Sequence, residues 1–279
     1  MSAAALIDSV DGIGSIPTAV AQVFGLINDP KATLADFERV VRPDVGLTVN
    51  LLKSANSAYY RSSREITSVK DAIGRMGLRR VFEVVASQSF AKTIPSRLRG
   101  YALEASEYWG HSVAVAVLSD RIGRAAGFTY PDLAFTAGLL HDLGKVVIAT
   151  WLCGPGALVP VPEGGLSTID LEREVVGLDH LEAGEAVALK WNLPKDIAAA
   201  MRWHHEPSSA PTATLRYFAT VIQVSDSAAH TAGFGEGGGE AIDPSSLERL
   251  NLEPAALTKL VDDARPEIDR TRELLASGR

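Results

Sequence analysis

The chain has 279 residues, 46% of them apolar, a formal net charge of −7 and a single cysteine, Cys153. That length fills one large domain or two modest ones, the lone cysteine excludes an intrachain disulfide, and the acidic balance disfavours non-specific nucleic-acid binding. No run approaches the roughly 18 apolar residues of a membrane span, and the amino terminus lacks the basic start and apolar stretch of a signal peptide, so the expectation is a cytoplasmic protein without membrane association.

Helical signals dominate throughout. Alternating strand-like runs bounded by tight turns are absent, which gives a nearly all-α fold. Pro17 suits a helix start, with Ile16, Val20, Val23, Phe24 and Ile27 at helical spacing and Asp29-Pro30 as a stop. Thr33 reads as the N-cap of a short helix through Val41, with Asp36 in its first turns. Asp44 caps the next, from Val45 to Tyr59, in which Asn56 stands as a polar residue expected to be buried and to bond neighbouring backbone. Thr67 or Ser68 opens a helix ending near Gly74 to Gly77, and Leu78 to Phe90 follows. The basic run Arg75 to Arg80, with Lys70 nearby, reads as a solvated helix face.

The segment Thr93 to Gly100 breaks the pattern and divides the chain into a lobe of residues 1–95 and a lobe with a carboxy-terminal tail, 96–279. Glu104 to Gly127 is one long helix. After Thr129 and Pro131 comes Ala134 to Ile148, AFTAGLLHDLGKVVI, a buried apolar pattern interrupted by His141 and Asp142 with Gly144 and Lys145 just beyond. Cys153 to Thr168 is rich in Gly and Pro and reads as a long loop, a candidate lid or partner loop. Helices are expected at Ile169 to Val176, His180 to Trp191, Pro194 to His205 and Leu215 to Ala232. Gly233 to Ser246 contains GEGGGE and is expected to be mobile, and a polar helical tail closes the chain.

All six histidines lie between His111 and His230. An ionised Asp142 on an apolar helix carries a large desolvation penalty unless it is paired or metal-bound. Glu107 and His111, four residues apart, share one helix face. His180 opens a helix whose next turn holds Ala183, Gly184 and Ala186, small enough for a neighbour to approach closely; His204 and His205 end a helix; Asp226 lies in an apolar one. Each has a plainer reading alone: a satisfied core histidine for His111 or His180, exposure for one of His204 and His205, a cap or arginine pair for Asp226, an exposed glutamate for Glu107. Together, imidazoles with bridging carboxylates and no thiolate point to divalent first-row metals rather than structural zinc. His230 and Cys153 are left out, each read as a surface position.

The order His111, His141-Asp142, Asp226 resembles the signature of the HD superfamily of metal-dependent phosphohydrolases. The fuller set, HDLGK through Lys145, His180 and His204-His205-Glu206, resembles the HD-GYP cyclic-dinucleotide phosphodiesterases. That resemblance implies that Glu107, His111, His141, Asp142, His180, His204, His205 and Asp226 hold a two- or three-metal centre and that Lys145 contacts substrate phosphate. The segment after Glu206, PSSAPTATL, lacks the Gly-Tyr-Pro element that names the family. The first half, in SIPTAVAQVFGLINDP, VVRPDVGLTVNLLKSANSAYY and ITSVKDAIGRMGLRRVFEVV, resembles the HDOD domain, the HD-related output domain of bacterial signalling. Ala55-Asn56-Ser57 and Ala72 to Gly77 are its most specific marks, and Asp44-Val45 stands where Asp-Pro is usual. The resemblance runs from about Ile13 to Ala232. It implies an all-α fold of two packed helical lobes, the second an HD-superfamily-like bundle, and a signalling role.

Two functions stay open. One is a regulatory module, with a metal site that binds a nucleotide-like ligand and a helical lobe that meets a signalling protein. The other is a metal-dependent phosphohydrolase acting on a cyclic dinucleotide, cyclic di-GMP by the family resemblance, or on another nucleotide phosphoester. There Asp142 would bridge metals that activate water, and Lys145 would neutralise charge on the phosphate oxygens. The retained ligands favour metal binding and the missing element favours the module. The expected cofactor is a divalent transition metal, iron or manganese, at one to three ions per chain.

Overall fold

The computed structural model describes residues 2–8, 18–27, 29, 31–57, 65–91, 94–129, 131–152, 167–235 and 241–276. Among these the chain forms fifteen α-helices and one two-residue β-hairpin, an all-α fold. It divides into two compact units, residues 16–93 with 271–279 and residues 1–15 with 94–270. The first helix, α1 (Ala3–Asp8), therefore belongs to the larger unit and not with the lobe of residues 1–95. The reason is apolar: Leu6 and Ile7 are buried beside the helices Leu143–Trp151 and His180–Lys190.

The smaller unit holds α2 (Thr18–Ile27), α3 (Leu34–Val41), α4 (Val45–Ala55), α5 (Val69–Met76) and α6 (Leu78–Ala91). Its helix starts are set locally. Thr33 and Asp36 form a capping box at α3, Asp44 accepts the Leu47 N–H at 3.0 Å, and Ser68 accepts that of Asp71 at 3.0 Å. Gly77, at φ 81°, ends α5 and turns the chain directly into α6. Val20, Val23, Phe37, Leu47, Leu51, Ile73 and Val85 fill the core. Ile16, Pro17, Pro30 and Tyr59 lie outside the described residues, as does most of the predicted Cys153–Thr168 loop and the GEGGGE run. The α4 helix stops at Ala55, where Asn56 leaves helical geometry and turns its side chain to other work. Its Nδ2 donates to the carbonyls of Leu52 (3.0 Å) and Ile66 (2.7 Å), and its Oδ1 accepts from the Ile66 N–H (2.8 Å).

After α1, the larger unit continues with β1 (Arg97–Leu98) and β2 (Leu103–Glu104), an antiparallel pair too short to show as an alternating pattern in sequence. Around them stand α7 (Ala105–Ala125), α8 (Pro131–Leu140), α9 (Leu143–Trp151), α10 (Thr168–Val176), α11 (His180–Lys190), α12 (Lys195–Trp203), α13 (Ala213–Thr231), α14 (Pro244–Arg249) and α15 (Pro254–Ala276). The central helix is α7, buried without a break from Tyr108 to Asp120. Against it lie α8 and α13. A Cβ at Gly138 on α8 would come within 2.9 Å of the Val115 carbonyl, so glycine is what lets α8 lie this close to α7. The stretch Leu133–Trp151 is long and apolar enough to cross a membrane, against the expectation that no run approached that length; 83% of that window is buried in the protein.

Asn56→Leu should destabilise the fold by about 1–3 kcal/mol, because it removes the side-chain partners of the Ile66 N–H and carbonyl, which nothing of leucine's shape can bond, whereas the Leu52 carbonyl keeps the backbone N–H of residue 56. Equilibrium denaturation of the two proteins measures it; equal midpoints would mean these bonds contribute nothing net.

Candidate metal centre

The side chains that carry the chemistry come from five helices of the larger unit and the breaks between them. His111 projects from the middle of α7 and Asp226 from α13. The predicted single helix through AFTAGLLHDLGKVVI is two, and His141 and Asp142 form the break: α8 ends at Leu140, and Asp142, at φ −98° and ψ 12°, is the N-cap of α9. His180 is the first residue of α11, capped by Asp179. His204 and His205 follow α12. One glycine, Gly144, brings α9 and α11 together. A Cβ at Gly144 would lie 1.9 Å from the His180 carbonyl oxygen, and one at Gly184 would lie 3.6 Å from the Gly144 nitrogen. It is therefore Gly144 on α9 that sets the approach of Asp142 to His180, while the small residue read in sequence at Gly184 on α11 makes only an ordinary contact there.

Each buried imidazole is held by its Nδ1. That of His111 lies 2.7 Å from the Phe234 carbonyl, that of His141 2.8 Å from Gly138, that of His204 2.8 Å from Met201, and that of His180 2.7 Å from the Glu172 carboxylate. Carbonyls and carboxylates only accept, so each neutral ring carries its proton on Nδ1 and presents a bare lone pair at Nε2. Those lone pairs converge on two carboxylate oxygens. Asp142 Oδ1 is 3.5 Å from His180 Nε2 and 3.8 Å from His204 Nε2; Asp226 Oδ1 is 3.0 Å from His111 Nε2 and 3.8 Å from His141 Nε2. All six atoms are buried and none has a hydrogen-bond partner among the described residues. Acceptors facing acceptors in a buried site repel, and each unbonded group costs about 1–3 kcal/mol. A bound cation resolves both problems. The donor set, imidazole with carboxylate and no thiolate, fits a divalent transition metal.

The field of the site is strongly coupled. Burial raises the Asp142 pKa, but Lys145, with Nζ at 2.6 Å, and the His141 and His180 rings outweigh it and hold the carboxyl well below its usual range. Asp226 is likewise held low, burial being outweighed by His111 and His141. Burial pulls the Lys145 ammonium and the His141 imidazole down, yet Asp142 keeps both above their ordinary values. Burial dominates at His204, well below 6.5, and at His205, pushed down to about 4.

Three clusters have ligand atoms within 4.8 Å of one another: Asp142, His180, His204 and His205; His111, His141 and Asp142; and His111, Asp226 and His230. They contain every predicted metal ligand but one. Glu107 is exposed, and its Oε2 accepts the Glu104 N–H at 2.9 Å to close a capping box at the start of α7. Helix capping, a local bond, holds the side chain away from the cluster. Lys145 stands inside the site, on Asp142. Two residues were missed. Glu172, 4% exposed, orients His180 through both its Nδ1 and its N–H (2.7 Å) and is itself held by the Tyr101 hydroxyl at 2.7 Å. It also lines a cavity of about 150 Å³ with Gly100, Leu152, Leu171 and Val176. A glutamate on an otherwise amphipathic helix gives no signal of that role. His230 was set aside as a surface residue, although its place one turn after Asp226 on α13 could have flagged it.

A helical bundle that gathers imidazoles around Asp142 and Asp226 is compatible with an HD-like metal site. A model of the HDOD domain matches residues 13–207, and the chain belongs to that family. An uncharacterised Treponema pallidum protein is 27% identical over 223 residues, 75% of this chain and 40% of that protein. Ribonuclease Y of Thermus thermophilus is 33% identical over 102 residues, 37% of this chain and 13% of that protein. The match thus spans less than half the length of either relative. Among solved structures, an HDOD domain protein of Geobacter sulfurreducens superposes with a TM-score of 0.77 at 22% identity, covering 99% of this chain and 97% of that one. A Shewanella amazonensis protein provisionally named a phosphohydrolase gives 0.71 at 21% identity over 98% of each chain. A Marinobacter aquaeolei protein provisionally named for signal transduction gives 0.69 at 20%, covering 94% of this chain and 58% of that one. At these identities the likeness is one of fold.

The depressed imidazoles make a pH prediction for the metal-free protein. A histidine whose folded pKa is lowered stays neutral in the fold where the unfolded chain protonates, so stability falls as pH drops below 6.5. His205 alone should remove about 2 kcal/mol between about pH 7 and 5, with His204 adding to it and His141, whose pKa is raised, opposing. Urea unfolding after chelation at the two pH values checks this; equal stabilities would contradict it. Gly144→Ala tests the helix contact. It should destabilise by about 1–3 kcal/mol through overpacking and weaken metal binding by displacing His180, and an unperturbed variant would show that α9 and α11 yield freely.

Proposed function

We propose that this chain is a signalling output module whose HD-like unit holds a divalent metal centre, and that the centre binds a nucleotide-like ligand to control a signalling protein partner. One observation carries the metal reading: six buried acceptor atoms, four imidazole Nε2 and two aspartate Oδ1, face one another without hydrogen-bond partners among the described residues. Asp142 belongs to two of the clusters and would bridge them; His111, His141 and Asp226 would complete one side, and His180, His204 and His205 the other. The signalling part rests on family membership and on the name of the Marinobacter relative.

The second reading, a metal-dependent phosphohydrolase, is favoured by the same bridging carboxylate and by the names of the Shewanella and Thermus relatives. When bound, divalent ions supply Lewis-acid activation of water and phosphate. The chain's own residues would orient the centre through Glu172, Phe234 and Asp142. Against turnover stands the phosphate side. Lys145 Nζ is engaged by Asp142, and the segment after Glu206 makes a single 3-10 turn, Pro207–Ser209, without the Gly-Tyr-Pro element. A substrate misplaced by about 1 Å can lose on the order of 100-fold in rate.

Protein purified without oxygen should contain iron or manganese at one to three ions per chain, and His141→Ala and Asp142→Ala should each remove most of it. Metal near zero in the unaltered protein would refute the centre. Incubated with cyclic di-GMP, the metal-loaded protein should show no multiple turnover. Hydrolysis at about 1 per second that disappears in Lys145→Ala would establish the phosphohydrolase instead.

A further inference from the structure

We propose that His230 is a metal ligand in this chain, and that with His111 and Asp226 it forms an ion position on the α13 side of the centre. The inference rests on the metal reading above and adds a residue that the HD-type motif does not contain. It begins from one oxygen. Asp226 Oδ1 is ringed by three imidazole nitrogens: His111 Nε2 at 3.0 Å, His230 Nε2 at 3.5 Å and His141 Nε2 at 3.8 Å. That oxygen is buried and unbonded among the described residues. His111 cannot donate to it as a neutral ring, because its proton is committed to the Phe234 carbonyl. A plain hydrogen bond from His230 would be longer than the ordinary range of about 2.7–3.2 Å. Two ligands on one ion, with bonds near ~2.1 Å, lie about 3.0–3.4 Å apart, which is the spacing found for His111 and close to that of His230.

The backbone is built around this pair. Asp226 and His230 are one turn apart on α13 and share a face. The helix ends at Thr231, Gly233 turns at φ 84°, and the Phe234 N–H returns to the Ala229 carbonyl at 2.9 Å. That turn sends the Phe234 carbonyl to His111 and lays Gly235 across both rings. A Cβ at Gly235 would fall 2.3 Å from His230 Nδ1 and 3.1 Å from His111 Nδ1, so the contact is possible only without a side chain. The His230 Nδ1 is itself buried and unbonded, so no described residue fixes this ring as Phe234 fixes His111. One turn before His111 on α7, Glu107 is tied into its capping box. His230 therefore supplies the extra donor that Glu107 does not.

The test is Mn²⁺ binding to the full chain followed by electron paramagnetic resonance, unaltered protein against His230→Leu, with circular dichroism confirming that both are folded. His230→Leu should weaken one ion at least about tenfold and leave binding at Asp142, His180 and His204 in place. Titrating the unaltered protein with Zn²⁺ while following histidine ring ¹⁵N resonances gives a readout that needs no variant to fold, and the His230 Nε2 signal should move to a metal-bound position. Identical Mn²⁺ affinity and stoichiometry in His230→Leu, or an unmoved His230 signal while those of His180 and His204 shift, would overturn the inference and leave the metal centre standing. No metal uptake by the unaltered protein would remove both.

Discussion

The larger unit is organised around two buried carboxylates that face imidazole lone pairs. Burying a single unpaired charge is costly, and burying several acceptors against one another is worse. The fold accepts this at the junction of α8 and α9, where Asp142 is 4% exposed and His141 1% exposed. Lys145 partly balances Asp142 from within the same helix. Asp226 Oδ1 meets the ring nitrogens of His111, His141 and His230 and has no hydrogen-bond partner among the described residues. A cation shared by these groups would turn mutual repulsion into coordination. Metal binding and the stability of this unit are then expected to be linked, because the ion binds the folded arrangement and not the unfolded chain.

The rest of the unit serves to hold those atoms still. Phe234, Gly138 and Met201 carbonyls and the Glu172 carboxylate each fix one ring by its Nδ1, so the direction of Nε2 in His111, His141, His204 and His180 is set by backbone or by a second side chain. Gly138 lets α8 touch α7, and Gly144 lets α9 touch α11. These contacts put Asp142 within reach of both His111 and His180. Tyr101 extends the arrangement outward, through Glu172 to His180, to the wall of an apolar cavity.

What could be read in the sequence was what local chemistry decides. The caps at Thr33, Asp44 and Ser68 are short-range bonds, and the helices begin where those residues place them. The His-Asp pair was legible because polar residues in an apolar run require a reason, and the backbone bonds of Asn56 were legible on the same ground, although Asn56 is half-buried and not buried as expected. Glu107 misled because helical spacing shows which face a residue shares, not whether a nearer backbone N–H will claim its carboxylate. Glu172 and His230 were missed because their roles depend on tertiary approach, from α10 to His180 and from the turn at Gly235 onto α13. The break between α8 and α9 was hidden because apolar residues run on both sides of His141 and Asp142. Its position at the two functional residues fits a general pattern, in which local rules give way at sites of chemistry.

The most direct test of the account is anomalous diffraction from crystals of the chain grown with Mn²⁺ and measured near the manganese edge. The account predicts a strong peak within about 2.0–2.3 Å of Asp142 Oδ1, with His180 and His204 Nε2 around it, and a second near Asp226 Oδ1. A map without a peak at either carboxylate, at full Mn²⁺ and with the four Nδ1 contacts intact, would contradict it.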